Sequence, residues 1–311
     1  MIRSVLSRYL WAPVFLLTVA GAPAHSTEDP ERVDELLKRL GSAVSSLDYE
    51  GLVTFEHAGM LDTLRVVRAV KDGALHERIH YMSGSPREVV STLSLANHCL
   101  APGSGPLMMW SGVTDPRIHA LYDFYLRGQA RIADRDTVVL EVRPKDNDRF
   151  GVVLNLDAET GLPLKSVLVG ADGGMLERYQ FVDLKLGAVS SEALSPETAA
   201  ARHVDNSSEC TLEAGRWALK WTPAGYRKIS RKQLPDGEMM VFTDGLAVFS
   251  IFVQSYRPEL AFRGRAFRGA TVAYMGLLQA GAKRYNVTVV GEIPDNTAKK
   301  LADSVVPSRP E

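Results

Sequence analysis

The chain has 311 residues, of which 45% are hydrophobic and 8% aromatic; that is long enough for about two domains with real cores and too ordinary in hydropathy and charge for wholesale disorder. With 36 Lys and Arg against 37 Asp and Glu, the formal net charge is −1, which excludes a dedicated nucleic-acid binder, because such a surface needs excess cation to displace phosphate counterions. Two cysteines exclude a dense disulfide scaffold and a cysteine-only zinc site.

Residues 1–24 read as a cleavable signal peptide. Arg3 and Arg8 form the positive head, Leu10 to Ala20 is an apolar run too short to span a bilayer, and Ala22-Pro23-Ala24 is a small-x-small cleavage pattern. Cleavage is expected after Ala24, because a cut after Ala22 would leave Pro23 directly behind it. Loss of Arg3 and Arg8 takes the net charge from −1 to −3. Export to an oxidising compartment makes a Cys99–Cys210 disulfide thinkable, but nothing in the sequence shows the two are close, and two separate thiols stay open.

In the mature chain, Asp29-Pro30 is a helix start, and Val33, Leu36, Leu37, Leu40, Val44 and Leu47 recur at helical spacing. The period then falls to two. Tyr49–His57, Leu61–Val70 and Ala74–Met82 read as strands separated by Ala58-Gly59-Met60 and Lys71-Asp72-Gly73, and Arg87–Leu93 and Leu95–Leu100 continue the pattern. Ala101–Pro106 is a loop, and Ile118–Leu126 is ambiguous between helix and strand. Thr137–Arg143, Arg149–Asp157, Leu164–Ala171 and Met175–Leu186 are further strands. One helix and many antiparallel strands imply an α+β fold with a large curved sheet and a helical cover. Gly187 to about Thr211 is rich in Ser, Ala, Glu and Pro and reads as a linker, with room for a short helix within Pro196–His203. Trp217–Trp221, Tyr226–Gln233, Glu238–Phe242, Leu246–Gln254, Gly269–Met275 and Tyr285–Gly291 are strands of a smaller α+β domain, closed by a helix over Pro294–Val305. The expected division is 28–187, a linker at 188–212, and 213–306.

His76-Glu77-Arg78-Ile79-His80 matches H-E-x-x-H, but a zinc-protease site needs both histidines on one helical face. This segment follows a hairpin turn, so it reads as a strand with Glu77 on the face opposite His76 and His80. No G-x-S-x-G, G-x-x-x-x-G-K or C-x-x-C is present, and no acid pair stands out; no enzyme, metal or cofactor is expected. Met108, Met109 and Trp110, with Tyr122, Phe124 and Tyr125, read either as an adaptable apolar rim for lipid or as core. Arg227, Lys228, Arg231 and Lys232, then Arg257, Arg263, Arg265 and Arg268, make the second half locally basic, which suits an acidic partner segment or anionic lipid heads and equally a solvated strand face.

Phe242-Thr243-Asp244-Gly245-Leu246-Ala247-Val248-Phe249-Ser250-Ile251-Phe252-Val253 resembles the Y-S-D-G-L-A-x-F-S-V-F-V stretch of the RseB/MucB family. Gly269–Tyr274, Val287–Pro294 and Thr297-Ala298 follow in the family's order. Tyr49-Glu50-Gly51, Glu77-Arg78, Ser83–Val89 and Asp157–Ser166 resemble it in the first half, so the likeness covers nearly the whole mature chain. The resemblance implies a large domain like the lipoprotein carriers LolA and LolB, a half-open barrel with helices over its mouth, joined to a small C-terminal domain. It implies a periplasmic negative regulator of sigma-E that binds the periplasmic part of an RseA/MucA-type anti-sigma factor, shields it from the protease DegS, and is released by lipopolysaccharide or mislocalised lipoprotein. Lipid contact would then fall to Met108, Met109, Trp110, Tyr122 and Phe124, and partner contact to Arg227, Arg231, Arg263, Arg265 and Arg268. A homo-oligomer stays open. The alternative, resting on the large domain alone, is a LolA-type lipoprotein or lipid carrier. Ile251, Gln254, Cys210 and a long Met275–Arg284 segment depart from the family pattern.

Overall fold

A computed structural model describes residues 30–94, 113–205, 215–258 and 263–308. In chain order the elements are α1 (Pro30–Ser46), β1 (Tyr49–His57), β2 (Met60–Lys71), β3 (Ala74–Tyr81), β4 (Arg87–Ser94), α2 (Ile118–Leu121), β5 (Tyr122–Ile132), β6 (Arg135–Pro144), β7 (Gly151–Asp157), β8 (Pro163–Val169) and β9 (Met175–Leu186). There follow α3 (Ser191–Leu194), β10 (Arg202–Asp205), β11 (Trp217–Leu219), β12 (Arg227–Leu234), β13 (Gly237–Thr243), β14 (Val248–Ser255), β15 (Gly264–Arg268), β16 (Thr271–Ala280), β17 (Lys283–Gly291), α4 (Asp295–Ser304) and β18 (Val305–Pro307). The signal peptide, the strand expected over Leu95–Leu100, the Met108-Met109-Trp110 group and both cysteines lie outside the described residues.

Ten strands form one sheet in the order β10-β4-β3-β2-β1-β9-β8-β7-β6-β5. Two antiparallel meanders, β1–β4 and β5–β9, are joined where β1 runs beside β9 from Tyr49↔Leu186 to His57↔Glu177. The sheet is curved and open, with β10 and β5 as its edges. Tight turns keep each meander compact: Asp72 and Gly73 both take positive φ (52° and 71°), as do Ala133 and Asp134 (48° and 61°), the geometry whose twist matches a hairpin.

The apolar stripe of α1 closes the concave side. Val33, Leu36, Leu37, Leu40, Ala43 and Val44 are buried on one face of the helix, against Tyr49, Val53, Leu64 and Val66 of the first meander and Leu140, Leu154, Leu164 and Phe181 of the second. The helix is pinned at its middle by Arg39, which donates to the Ala158 carbonyl, 2.5 Å away, in the turn before β8. In that turn Gly161 has φ +80°, and a Cβ there would come within 2.8 Å of the Arg39 backbone. Gly161→Ala should therefore destabilise the large sheet by about 1–3 kcal/mol, since a strained φ and a backbone clash add; chemical denaturation measures it, and a loss under 0.5 kcal/mol would mean that the turn relaxes away from α1 freely.

The second sheet has six strands, β12-β13-β14-β17-β16-β15, with α4 packed on β16 and β17, and a two-stranded β11–β18 ribbon beside it. Met240, Phe249, Ile251, Val253, Val287, Val289, Ala298 and Leu301 fill this core. The long Met275–Arg284 segment is the closing hairpin of β16 and β17, paired out to Ala280↔Lys283 around a turn at Gly281 and Ala282.

Several boundaries differ from the sequence reading, and the strand expected from Leu246 begins at Val248, because Leu246 and Ala247 belong to the preceding loop. The helix expected within Pro196–His203 lies earlier, at α3, where Ser190 caps the Ala193 amide; Arg202–Asp205 is β10, which runs parallel to β4. Ile118–Leu126 divides into one helical turn and the start of β5. The strand expected from Arg149 begins two residues later, at Gly151, because Arg149 turns into a junction between the two sheets.

Candidate functional site

The H-E-x-x-H segment is β3, and its faces divide as a strand's must. His76 meets Thr92, and His80 and Arg78 meet Glu197. Glu77 points inward, where it lies 4.0 Å from the fully buried Arg68. Arg68 in turn donates to the Val44 carbonyl at the end of α1, so this pair supports the helical cover. Burial holds the Glu77 carboxyl above its ordinary range, against the opposing pull of Arg68. Among the described residues no group of three or more His, Cys, Asp or Glu could hold a metal ion.

Tyr122 and Phe124 are buried in the concave core that Leu140 and Leu154 also line, and Tyr125 lies on the other face of β5 beneath the guanidinium groups of Arg127 and Arg143. The two basic groups of the sequence lie apart in space. Arg227 and Arg231 are on β12 and Arg265 and Arg268 on β15, the two opposite edges of the six-stranded sheet. Five strand spacings separate those edges, roughly 24 Å. Arg231 is mostly buried and lies 3.0 Å from Glu238, Arg227 approaches Asp115 at 4.0 Å, and Arg265 pairs with Asp295 at the start of α4. Arg263 and Arg268 are exposed.

The strongest polar constellation lies where the two sheets meet. The loop after β13 carries Asp244-Gly245-Leu246-Ala247. One carboxylate oxygen of Asp244 accepts the amides of Leu246 (2.9 Å) and Ala247 (2.8 Å), which folds the loop tightly. The other accepts the Tyr122 hydroxyl at 2.8 Å and Arg149 Nη1 at 2.6 Å. Both charged side chains are completely buried. Arg149 also donates to Asp146 and to the Ala224 carbonyl and lies over the rings of Tyr122 and Tyr226 at 5.4 and 5.1 Å. Every strong donor of Arg149 thus has an acceptor, the condition under which a buried ion pair is tolerable. Burial first, then the Asp244 charge, pushes the Tyr122 hydroxyl well above its ordinary range, so it remains a donor. The same loop inserts Leu246 into the core of the large sheet, and Leu121 closes over Gly225 from the other side.

A second contact joins the sheets further along. Glu177 of β9 accepts the Ala270 amide at 2.8 Å, and Ala270 packs into the large core. Burial first, then the Glu177 charge, raises the pKa of Glu292, just beyond β17, to about 8. Thr297 of α4 donates to Asp148 at 2.9 Å and completes the seam.

The chain between the sheets is also held. Glu88 of β4 accepts the amides of Glu197 and Thr198 and the Thr198 hydroxyl, all within 3.1 Å, and lies 3.3 Å from the buried Arg78. Burial alone would raise the Glu88 pKa, but these hydrogen bonds and Arg78 outweigh it and the net shift is downward. Glu88→Ala should release residues 196–205 from the sheet, seen as at least tenfold faster amide exchange or proteolysis there, with little change at α1. Unchanged protection would mean that β10 pairing alone holds the segment. None of these sites arranges a nucleophile, base and acceptor around an open space; their chemistry is that of mechanical coupling. Asp244 and Ala270 sit in two of the segments that carried the sequence resemblance, but which groups they would meet was not readable along the chain, since Arg149 is 95 residues from Asp244.

The model of the MucB/RseB N-terminal domain matches residues 32–202, and that of the MucB/RseB C-terminal domain matches residues 211–306. The chain is 32% identical to the sigma factor AlgU regulatory protein MucB of Pseudomonas aeruginosa, over 94% of this chain and 96% of that one. It is 25% identical to the sigma-E factor regulatory protein RseB of Escherichia coli K12, over 96% and 98%. Among solved structures, MucB in complex with periplasmic MucA superposes with a TM-score of 0.68 at 31% identity, covering 89% of this chain and 99% of that one. A second structure, the Pseudomonas aeruginosa MucA/MucB complex, gives 0.69 at 31% identity, over 90% and 100%.

Proposed function

The chain belongs to the MucB/RseB family, and from that membership we propose that it is an exported, periplasmic negative regulator of sigma-E signalling. It binds the periplasmic region of an RseA/MucA-type anti-sigma factor and shields that region from DegS-type cleavage. The observation that carries this is the likeness over almost the full length of both chains to a MucB crystallised with periplasmic MucA. Lipopolysaccharide or mislocalised lipoprotein relieves the block, acyl chains entering the concave side of the large sheet near Tyr122 and Phe124, with Met108, Met109 and Trp110 as further lipid-contact candidates from the sequence alone. The basic edges of the small sheet, with Arg227 and Arg231 on one and Arg263, Arg265 and Arg268 on the other, supply partner contacts.

Two features of the molecule suit this role. Tightly satisfied seams can hold one arrangement of the sheets until a ligand favours another, which is what a two-state sensor needs. Among the described residues, no helix is long and apolar enough to cross a membrane. The test is a pull-down of the mature chain with the periplasmic segment of its host's RseA/MucA-type protein, with and without lipopolysaccharide. Binding that lipopolysaccharide weakens is expected. No binding, with lipid or lipoprotein co-purifying, would replace this reading by that of a LolA-type carrier.

A further inference from the structure

The two edges of the six-stranded sheet are not equivalent. On β12, Arg231 is tied to Glu238 and Gln233, and that edge lies beside Asp115 of the large sheet's side. On β15 the situation differs. Its only strand neighbour among the described residues is β16, paired from Gly264↔Met275 to Arg268↔Thr271. Its other side therefore presents a row of backbone N–H and C=O groups.

The side chains along this edge are specific. Arg265 and Phe267 alternate onto one face of the strand, with Gly264 and Ala266 adding no bulk on the other. Phe267 stands opposite Val272, which is buried, yet is itself 58% exposed. An aromatic that faces the core side of its sheet but lacks a cover is an anchor waiting for a neighbour along the hydrogen-bonding direction. The Arg265 guanidinium lies 5.6 Å from its ring centroid and is positioned by Asp295. Arg263 precedes the strand and Arg268 ends it, both exposed.

Charge decides what can dock. A second copy of β15 would bring its arginines opposite or diagonal to these on the paired strands, and like charges so placed repel. The row of arginines thus blocks self-pairing and selects an acidic strand. We infer that β15 is a docking edge for an extended, acidic segment of the protein partner. The segment adds as a seventh strand, with carboxylates opposite Arg263 and Arg265 and an apolar side chain, two residues from a carboxylate, against Phe267. Main-chain hydrogen bonds supply affinity and the alternating side chains supply selection. This rests on the regulatory reading above and specifies how the partner is gripped.

The test uses the full mature chain and the periplasmic segment of its RseA/MucA-type partner. Amide hydrogen exchange at residues 264–268 should slow at least tenfold on binding. A chain carrying Arg263→Glu and Phe267→Ser, both surface positions, should keep its melting temperature and bind at least tenfold more weakly. Replacing acidic residues of the segment by their amides should weaken binding similarly. Binding with unchanged exchange at 264–268 and no loss in the double variant would overturn the inference and leave the regulatory reading standing. Absence of any binding by the unaltered chain would overturn both. Loss of anionic-vesicle binding in the double variant, with partner binding intact, would make β15 a lipid-facing edge and also overturn the inference.

Discussion

Asp244→Ala is expected to cost about 3–5 kcal/mol, the range for removing one partner of a buried ion pair, and to lower the melting temperature by about 10 °C in a chain of this size. The reason is arithmetic on hydrogen bonds. One carboxylate accepts Tyr122, Arg149 and the amides of Leu246 and Ala247, and alanine leaves all four donors to find water in a seam that excludes it. Asp244→Asn should be nearly as damaging. Its amide oxygen can serve the loop amides, but its NH₂ then faces two donors, Tyr122 and Arg149. Combining Asp244→Ala with Arg149→Met should recover part of the loss, because the uncompensated buried charge disappears with its partner. The loop carries Leu246 into the core of the large sheet, so the single variant should also separate unfolding into two transitions. A cost under 1 kcal/mol with one transition would show that the seam is hydrated and that the sheets are coupled elsewhere.

Much of this fold is legible in the sequence, and the parts that are not have a common cause. The limits of β1 and β9 follow from alternation alone, and the buried face of α1 follows from its periodicity. Alternation fails at β10 and β15. Arg202-His203-Val204-Asp205 is a strand only because β4 is beside it. The segment Gly264-Arg265-Ala266-Phe267-Arg268 is an edge, where no buried face imposes a pattern. The basic residues form two groups in sequence, and nothing along the chain shows that these groups end on opposite edges of one sheet. The T-D-G-L-A stretch is conspicuous as a resemblance, yet its work depends on Tyr122 and Arg149, which the chain brings to it only after two meanders have closed. For H-E-x-x-H, a local rule was enough. A hairpin turn before it places the two histidines and Glu77 on opposite faces, and the structure puts Glu77 in the core with Arg68.

The second seam should make folding stability fall with rising pH, and Glu292→Gln should remove the part that Glu292 contributes. The Glu177 charge reaches Glu292; on Glu177 itself the Ala270 amide, His57 of β1 and Arg268 of β15 pull the pKa down against a larger upward push from burial. For Glu292, burial leads and the Glu177 charge adds, raising the pKa from 4.5 to about 8. The folded protein therefore holds a proton that the unfolded chain releases at lower pH. Where the folded state binds more protons, stability falls as pH rises. The contribution is complete below about pH 4.5 and is lost progressively up to about pH 8, where the second carboxylate ionises against the first. Glutamine stays neutral at every pH, so the variant should gain about 2–4 kcal/mol over the parent at pH 9 and nothing at pH 4. Glu177→Gln should act on the same pair, lowering the pKa of Glu292, so that the fall begins at the same pH but ends sooner and less stability is lost. Denaturation midpoints taken at unit intervals from pH 4 to pH 9 measure all three curves. Parallel curves for parent and Glu292→Gln would show that Glu292 is ionised and hydrated in the folded state, and that the approach of the two carboxylates is not maintained in solution.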